Sequence, residues 1–313
     1  MERGEIARIA EKLFTEVMSI FGWQQLGGWN QDIKCENKKH TAEHCVDAVL
    51  HYKESENCYV YVTTDVKSYS KASITPGRTR NQIEKLSEDN RCLRTAPQYL
   101  ERYTLKTPKK RIISLLFLYN RDNEFDPERT NLKHEIVGAN LDKENCYIFY
   151  PERIQFLHAV ARDIEIKQNR GEIPKNPKFV LHNKETKKNK PYESPSLPIE
   201  YLLGGIIVIN TTQSLQESYI IYYTGQGNSE SEWCYLLLFC YKHSILKDAT
   251  KIKFMLMSPS PNYSINLGQA KNRLCEGHFA GDEFQPRLKE ITADAIQTQN
   301  PVFDPVAIGE GSR

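Results

Sequence analysis

Apolar residues open the chain at helical spacing. Ile6, Ile9, Leu13, Val17, Ile20 and Phe21 recur every three to four positions, which predicts a helix from about Glu5 to Phe21, stopped by Gly22-Trp23. The pattern then shortens to the strand period. Trp29 to Cys35 reads as a first strand. The runs C-V-D-A-V-L-H-Y from Cys45 and C-Y-V-Y-V-T-T-D-V-K-S-Y from Cys58 flank the polar stretch Lys53 to Asn57, which predicts a β-hairpin. Arg78 to Leu93 returns to helical spacing, with Ile83, Leu86 and Cys92 on one side. Arg111 to Tyr119 is almost wholly apolar, as expected of a buried central strand. Cys146 to Tyr150 predicts another strand. Pro151 then opens a helix striped by Ile154, Leu157, Val160 and Ile164.

Past Lys167 the composition shifts to Lys, Asn and Pro, with Lys184, Lys187, Lys188 and Lys190 clustered around one short strand, Phe179-Val180-Leu181. This predicts a basic linker. Leu202 to Asn210 and Ser218 to Thr224 follow as strands. A buried helix from Glu230 to His243, a strand from Ile252 to Met257 and a helix from about Gln269 to Cys275 come next. The expected organisation is α/β, with a core over 1–166, a linker over 167–200, an accessory α+β unit over 201–285 and a polar tail over 286–313. The ββαβα order of the accessory unit resembles a ferredoxin-like fold. Trp233 and Tyr219, Tyr222, Tyr223, Tyr235 and Tyr241 are its candidate interface anchors.

The composition narrows the functional classes. Of 313 residues, 39% are hydrophobic and 26% charged, so the chain can bury a core and remain soluble. No apolar run reaches bilayer length, and Met1 to Glu5 leads straight into a helix, so a cytoplasmic protein with no membrane association is expected. The eight cysteines lie among apolar runs without a C-x-x-C pair and read as reduced core residues rather than a zinc ribbon. A net charge of +2 confines any nucleic-acid surface to a local patch.

The candidate chemistry lies in the hairpin. If it is symmetric about Glu56, Asp47 faces Asp65, and Lys67, two residues on, shares their sheet face. Two carboxylates side by side call for a cation between them. Hard Mg²⁺ takes such ligands and keeps waters for a phosphate.

Asp47 followed by Asp65-Val66-Lys67 resembles the motifs of the PD-(D/E)XK nuclease superfamily, with Val46 standing where the family name has proline. The order of one helix, three strands and a second helix resembles the same restriction-endonuclease-like core. The resemblance implies Mg²⁺- or Mn²⁺-dependent hydrolysis of nucleic acid, DNA before RNA, with Asp47 and Asp65 as metal ligands and Lys67 as water-orienting cation. It further implies a metal-site Glu on the first helix, where Glu11 fits the offset better than Glu16, and a catalytic Gln on the helix after the motif, where Gln82 matches. His40, His44, Tyr69, Lys71 and Arg78 are the candidates for contact with the nucleic-acid backbone.

The stretch N-x-D-I-x-C from Asn30, H-x(6)-D from His40 to Asp47, and D-V-K-S also resembles nuclease subunits of two-component bacterial anti-phage systems. That likeness implies a partner subunit. One motif set per chain implies a homodimer or two visits to cut both strands. A catalytically silent nucleic-acid- or partner-binding protein and an RNA or tRNA nuclease remain the alternatives.

Overall fold

The structure, a computed structural model, describes residues 3–35, 43–55, 57–104, 109–125, 145–182, 191–212, 217–276 and 285–296. The first helix, α1 (Arg3–Ile20), buries Ala10, Leu13, Phe14, Val17 and Met18 along one stripe. It ends at Gly22, whose φ of 79° is left-handed, and a Cβ there would lie 2.3 Å from the Pro195 carbonyl oxygen. Only glycine closes this helix so tightly against the later chain.

The first sheet has the order β1-β4-β5-β6-β7. Its strands are β1 (Gln24–Leu26), β4 (Ala48–Ser55), β5 (Cys58–Tyr69), β6 (Lys109–Asn120) and β7 (Cys146–Phe149). β1, β4 and β5 are antiparallel neighbours, while β5, β6 and β7 run parallel. A separate two-stranded ribbon pairs β2 (Gln31–Lys34) with β3 (Glu43–Val46). In the hairpin, Ala48 pairs with Thr64 and Lys53 with Tyr59, which is the register of a turn centred on position 56. One irregularity follows before Ser55 meets Cys58.

Helices cover both faces of this sheet. On one side Phe14 of α1 packs edge-on against Phe117 of β6, with ring centroids 5.0 Å apart. On the other side lie α2 (Pro76–Leu93) and α3 (Pro97–Tyr103). Helix α2 starts at Pro76, two residues before the sequence pattern suggests. Proline suits a first helical position, and the Thr75 hydroxyl caps the Arg78 N–H at 3.4 Å. The short α3, which has little apolar periodicity of its own, is held by Tyr99, whose hydroxyl lies 2.9 Å from the Thr63 hydroxyl.

The second sheet has the order β13-β12-β11-β10-β8-β9. Its strands are β8 (Lys178–Val180), β9 (Glu193–Ser194), β10 (Ile206–Asn210), β11 (Glu217–Tyr223), β12 (Ala249–Leu256) and β13 (Ile291–Ala295). The expected ferredoxin-like arrangement is not what forms. β11, β12 and β13 are parallel neighbours, joined through the helices α6 (Glu230–Lys242) and α8 (Tyr263–Glu276). Parallel neighbours need such crossovers, and a ferredoxin-like sheet has no two adjacent parallel pairs in succession.

Three local differences accompany this. Residues 199–203 form a short helix, α5 (Ile199–Leu203), before β10 rather than the start of a strand. Helix α9 (Gln285–Lys289) and β13 occupy the start of the expected tail, with Leu288 and Ile291 buried. A four-residue helix, α7 (Ile245–Asp248), precedes β12. Trp233, Tyr219 and Tyr222 are core residues, and of the expected anchors Tyr235 and Tyr241 are exposed.

One hydrophobic core joins the two sheets. It runs from Phe14, Val62 and Phe117 through Leu157, Val160 and Ile164 of α4 (Pro151–Asn169) to Ile207, Ile209 and Tyr222. Phe179, Leu181, Leu197 and Ile199, from the stretch read as linker, are part of it. Trp23 donates its indole N–H to the Leu197 carbonyl at 2.8 Å, and Tyr222 donates to Asp163 of α4 at 2.7 Å. The far face of the second sheet packs on α6 and α8 through Phe254, Leu236 and Ala270.

Candidate active site

The site forms where the hairpin comes apart. β4 pairs with β5 only as far as Ala48 and Thr64. One residue earlier the chain turns away at Asp47 to join the β2–β3 ribbon, and the Asp47 carbonyl accepts the Asn30 N–H at 2.8 Å. Asn30 sits at φ 55°, in the left-handed region that asparagine tolerates. From Asp65 onward β5 has lost its antiparallel neighbour but keeps β6 on the other side. The Val66 N–H, which a continued ladder would give to a backbone carbonyl, donates instead to the Asp47 carboxylate at 2.7 Å.

Period-two alternation puts Asp65, Lys67 and Tyr69 on the same face as Thr63, which Tyr99 of α3 covers. Asp47 reaches this face as well. The Lys67 ammonium donates to Asp65 Oδ1 and lies 3.8 Å from Asp47 Oδ2. The three side chains are 17%, 24% and 32% exposed for Asp47, Asp65 and Lys67, so they are shielded but reachable from solvent.

Electrostatics mark Asp47 as the strained member. Burial first, then repulsion from Asp65 and a hydrogen bond shared with it, push its carboxyl up to about 6, although Lys67 and the Val66 N–H oppose this. For Lys67, burial favours the neutral amine, but attraction from Asp65 and Asp47 outweighs it and holds the ammonium above its ordinary range. Two carboxylates thus share one cation. Their oxygen donors and the uncompensated negative charge fit a hard divalent ion.

The remaining candidates divide. Gln82 of α2 donates its amide N–H to the Tyr69 hydroxyl, and the Arg78 guanidinium lies over the Tyr69 ring, 5.0 Å from its centroid. Gln82, Tyr69 and Arg78 therefore form one unit at the Lys67 end of β5. Lys71 is exposed in the following turn (Lys71–Ser73), anchored by its backbone N–H on Asp122.

Glu11 lies on the flank of the buried stripe of α1, on the helix that covers the opposite sheet face. It makes no hydrogen bond or ion pair with Asp47, Asp65 or Lys67 among the described residues. It does belong to the same end of the sheet, because Phe14, one turn later, meets Phe117, the β6 partner of Val66. Glu16 is solvent-facing and paired with Lys12 at 3.8 Å.

His44 corrects the expectation of a backbone-contacting histidine. It is 4% exposed, with Nδ1 2.7 Å from Asp89 Oδ1 of α2, so its ring is turned inward toward α2 rather than out to solvent. His40 lies outside the described residues. Sequence reasoning missed Asp89 and the Val66 N–H. The signal for Val66 was available, since a strand that loses its neighbour must satisfy its donors elsewhere. Asp89 had none, being an ordinary acid on a charged helix.

A mixed sheet flanked by α1 and α2, with an acid at the hairpin's parting point and D-V-K on the neighbouring strand, defines a PD-(D/E)XK nuclease domain. The particular family follows from comparison. Residues 1–153 match the family model described as the GAPS4 protein PD-(D/E)XK nuclease domain. GAPS4 is a protein of an anti-phage defence system. No curated protein and no solved structure gives a match to the chain.

Proposed function

We propose that the protein is a divalent-metal-dependent endonuclease that hydrolyses phosphodiester bonds of DNA in defence against phage. The observation that carries this reading is the convergence of Asp47, Asp65 and Lys67 at an open strand edge, with the Asp47 carboxyl pushed up to about 6 by burial and by repulsion from Asp65. Asp47 and Asp65 would hold Mg²⁺, or Mn²⁺ in its place. Glu11, at the same end of the sheet, is the candidate for a further carboxylate. A bound ion of this kind supplies an activated water and neutralises charge on the phosphate.

The chain's own groups do the rest. Asp65 fixes the Lys67 ammonium through their hydrogen bond, so Lys67 can orient the attacking water or meet the charge that develops on a phosphate oxygen. The Val66 N–H holds Asp47 in place without using a second side chain. Tyr69, positioned by Gln82 and Arg78, and the exposed Lys71 provide donors for the phosphate backbone next to the scissile bond. Water's oxygen bonds to phosphorus, the P–O bond to the leaving nucleoside breaks, and the products are a phosphate monoester and a hydroxyl.

A single site per chain makes cleavage of both strands the work of two chains, of a partner subunit or of two visits. No helix among the described residues is long and apolar enough to cross a membrane.

The test is incubation of the purified protein with supercoiled plasmid, single-stranded DNA and tRNA, each with Mg²⁺, Mn²⁺ or EDTA. Metal-dependent nicking or linearisation of plasmid supports the reading. Cleavage confined to tRNA reassigns the substrate. Inertness in every arm, with the native partner present, rejects catalysis in favour of a silent binding protein.

A further inference from the structure

We infer that Cys35, His44 and Cys92 form a second metal site, for zinc, which clamps the β2–β3 ribbon to the C-terminal end of α2. The ligand atoms of these three residues all lie within 4.8 Å of one another, close enough for small side-chain rotations to bring them to the roughly 3.3–3.8 Å separations that a tetrahedral ion imposes with Zn–S near ~2.3 Å and Zn–N near ~2.0 Å. They come from three separate places in the chain. Cys35 follows β2, His44 lies on β3 opposite Ile33, and Cys92 is in the last turn of α2.

Strand alternation explains why they meet. Ile33, His44 and Val46 are the buried positions of the ribbon, and Cys35 is two residues beyond Ile33 on the same face. That face is turned toward α2, which adds Cys92.

The surroundings match what zinc needs. The His44 ring is 4% exposed, and its Nδ1 lies 2.7 Å from the Asp89 carboxylate. An Nδ1–H donated to a carboxylate fixes the tautomer whose Nε2 lone pair a metal binds, and the carboxylate–histidine pair is the usual outer support of zinc ligands. Two thiolates and a neutral imidazole cancel the ion's double charge, so the complex enters a largely buried place without net charge. Three protein ligands leave zinc's fourth position to a solvent molecule. The donor set is soft where the Asp47–Asp65 pair is hard, so the two sites select different ions.

The site has a mechanical consequence. The ribbon carries Asp47 at its end, one residue after β3, while α2 carries Gln82 two turns before Asp89. Zinc would fix both walls of the cleft relative to each other.

The test uses the full chain purified under reducing conditions, with bound metals measured by mass spectrometry after gel filtration and after titration with Zn²⁺. One zinc per chain is expected, falling to near zero in Cys35→Ser and in Cys92→Ser and unchanged in Asp65→Asn. Co²⁺ in place of zinc should give the thiolate charge-transfer absorption, and zinc should shield Cys35 and Cys92 from alkylation until a chelator is added. The alkylation result comes from wild-type protein and so does not depend on whether a variant folds. Wild-type protein that binds no zinc, or zinc lost in Asp65→Asn but kept in Cys92→Ser, would each overturn the proposal.

Discussion

The carboxylate of Asp47 accepts the backbone N–H of Val66 at 2.7 Å, so the first acid of the site is held by the middle residue of the D-V-K motif itself. This contact exists because the β4–β5 ladder stops at Ala48 and Thr64. It ties the separation of the two strands to the position of the acid, and slippage by one residue would send Asp47 to the opposite face.

Asp47 should therefore be a source of strain in the metal-free protein. Its folded carboxyl titrates near 6 against an ordinary 3.8. A raised acid stabilises the fold fully below its unfolded value, and that contribution is lost as pH rises through about 6. Asp47→Asn keeps an oxygen for the Val66 N–H and removes the charge. At pH 7.5 without metal the variant should be more stable than wild type by about 1–3 kcal/mol, with the difference vanishing toward pH 4, in urea unfolding curves. Added Mg²⁺ should stabilise wild type and leave the variant unchanged. A variant less stable than wild type at pH 7.5 contradicts this account.

Lys67→Ala separates metal holding from chemistry. The variant keeps both carboxylates and removes the ammonium that competes with a metal for them. Mn²⁺ affinity, measured by calorimetry, should be retained or increased, while DNA cleavage falls by about 10²–10³. Loss of Mn²⁺ binding would mean that the lysine organises the acids instead.

Tyr222 tests the shared core. Its hydroxyl donates to Asp163, which also pairs with Lys167 at 2.5 Å, and all three are buried between α4 and the second sheet. Tyr222→Phe should cost about 1–3 kcal/mol, because Asp163 loses one of its partners in a dry place. The unfolding curve should stay a single transition, since one core spans both sheets. A separate early transition of the second half would show that the sheets unfold independently.

The hairpin was readable in the sequence because its turn is polar and its strands are rich in β-branched and aromatic residues. With a fixed register, period two alone sets Asp65 and Lys67 on one face and brings Asp47 to them. The rest depended on tertiary context. β13, I-T-A-D-A, has too few large apolar residues to stand out, yet parallel pairing with β12 and the burial of Ile291 hold it. The basic stretch after Lys167 looks like a linker because its lysines outnumber its apolar residues, but Phe179, Leu181 and Leu197 suffice to fix it in the core. The sequence gives no sign that His44 is buried; the pairing of β3 with β2 turns it inward. The convergence of Cys35, His44 and Cys92 leaves no spacing signature, since the three approach through strand pairing and helix packing.

The central claim is that Asp65 holds the ion on which cleavage depends. The direct measurement is the rate of plasmid cleavage in Mg²⁺ by wild-type protein and by Asp65→Asn, alongside DNA binding of each. The account predicts metal-dependent cleavage by wild type, a loss of about 10²–10³ or more in the variant, and DNA binding equal to or tighter than wild type because one charge facing the phosphates is gone. Cleavage by Asp65→Asn at the wild-type rate, or cleavage by wild type that persists in EDTA, would contradict it.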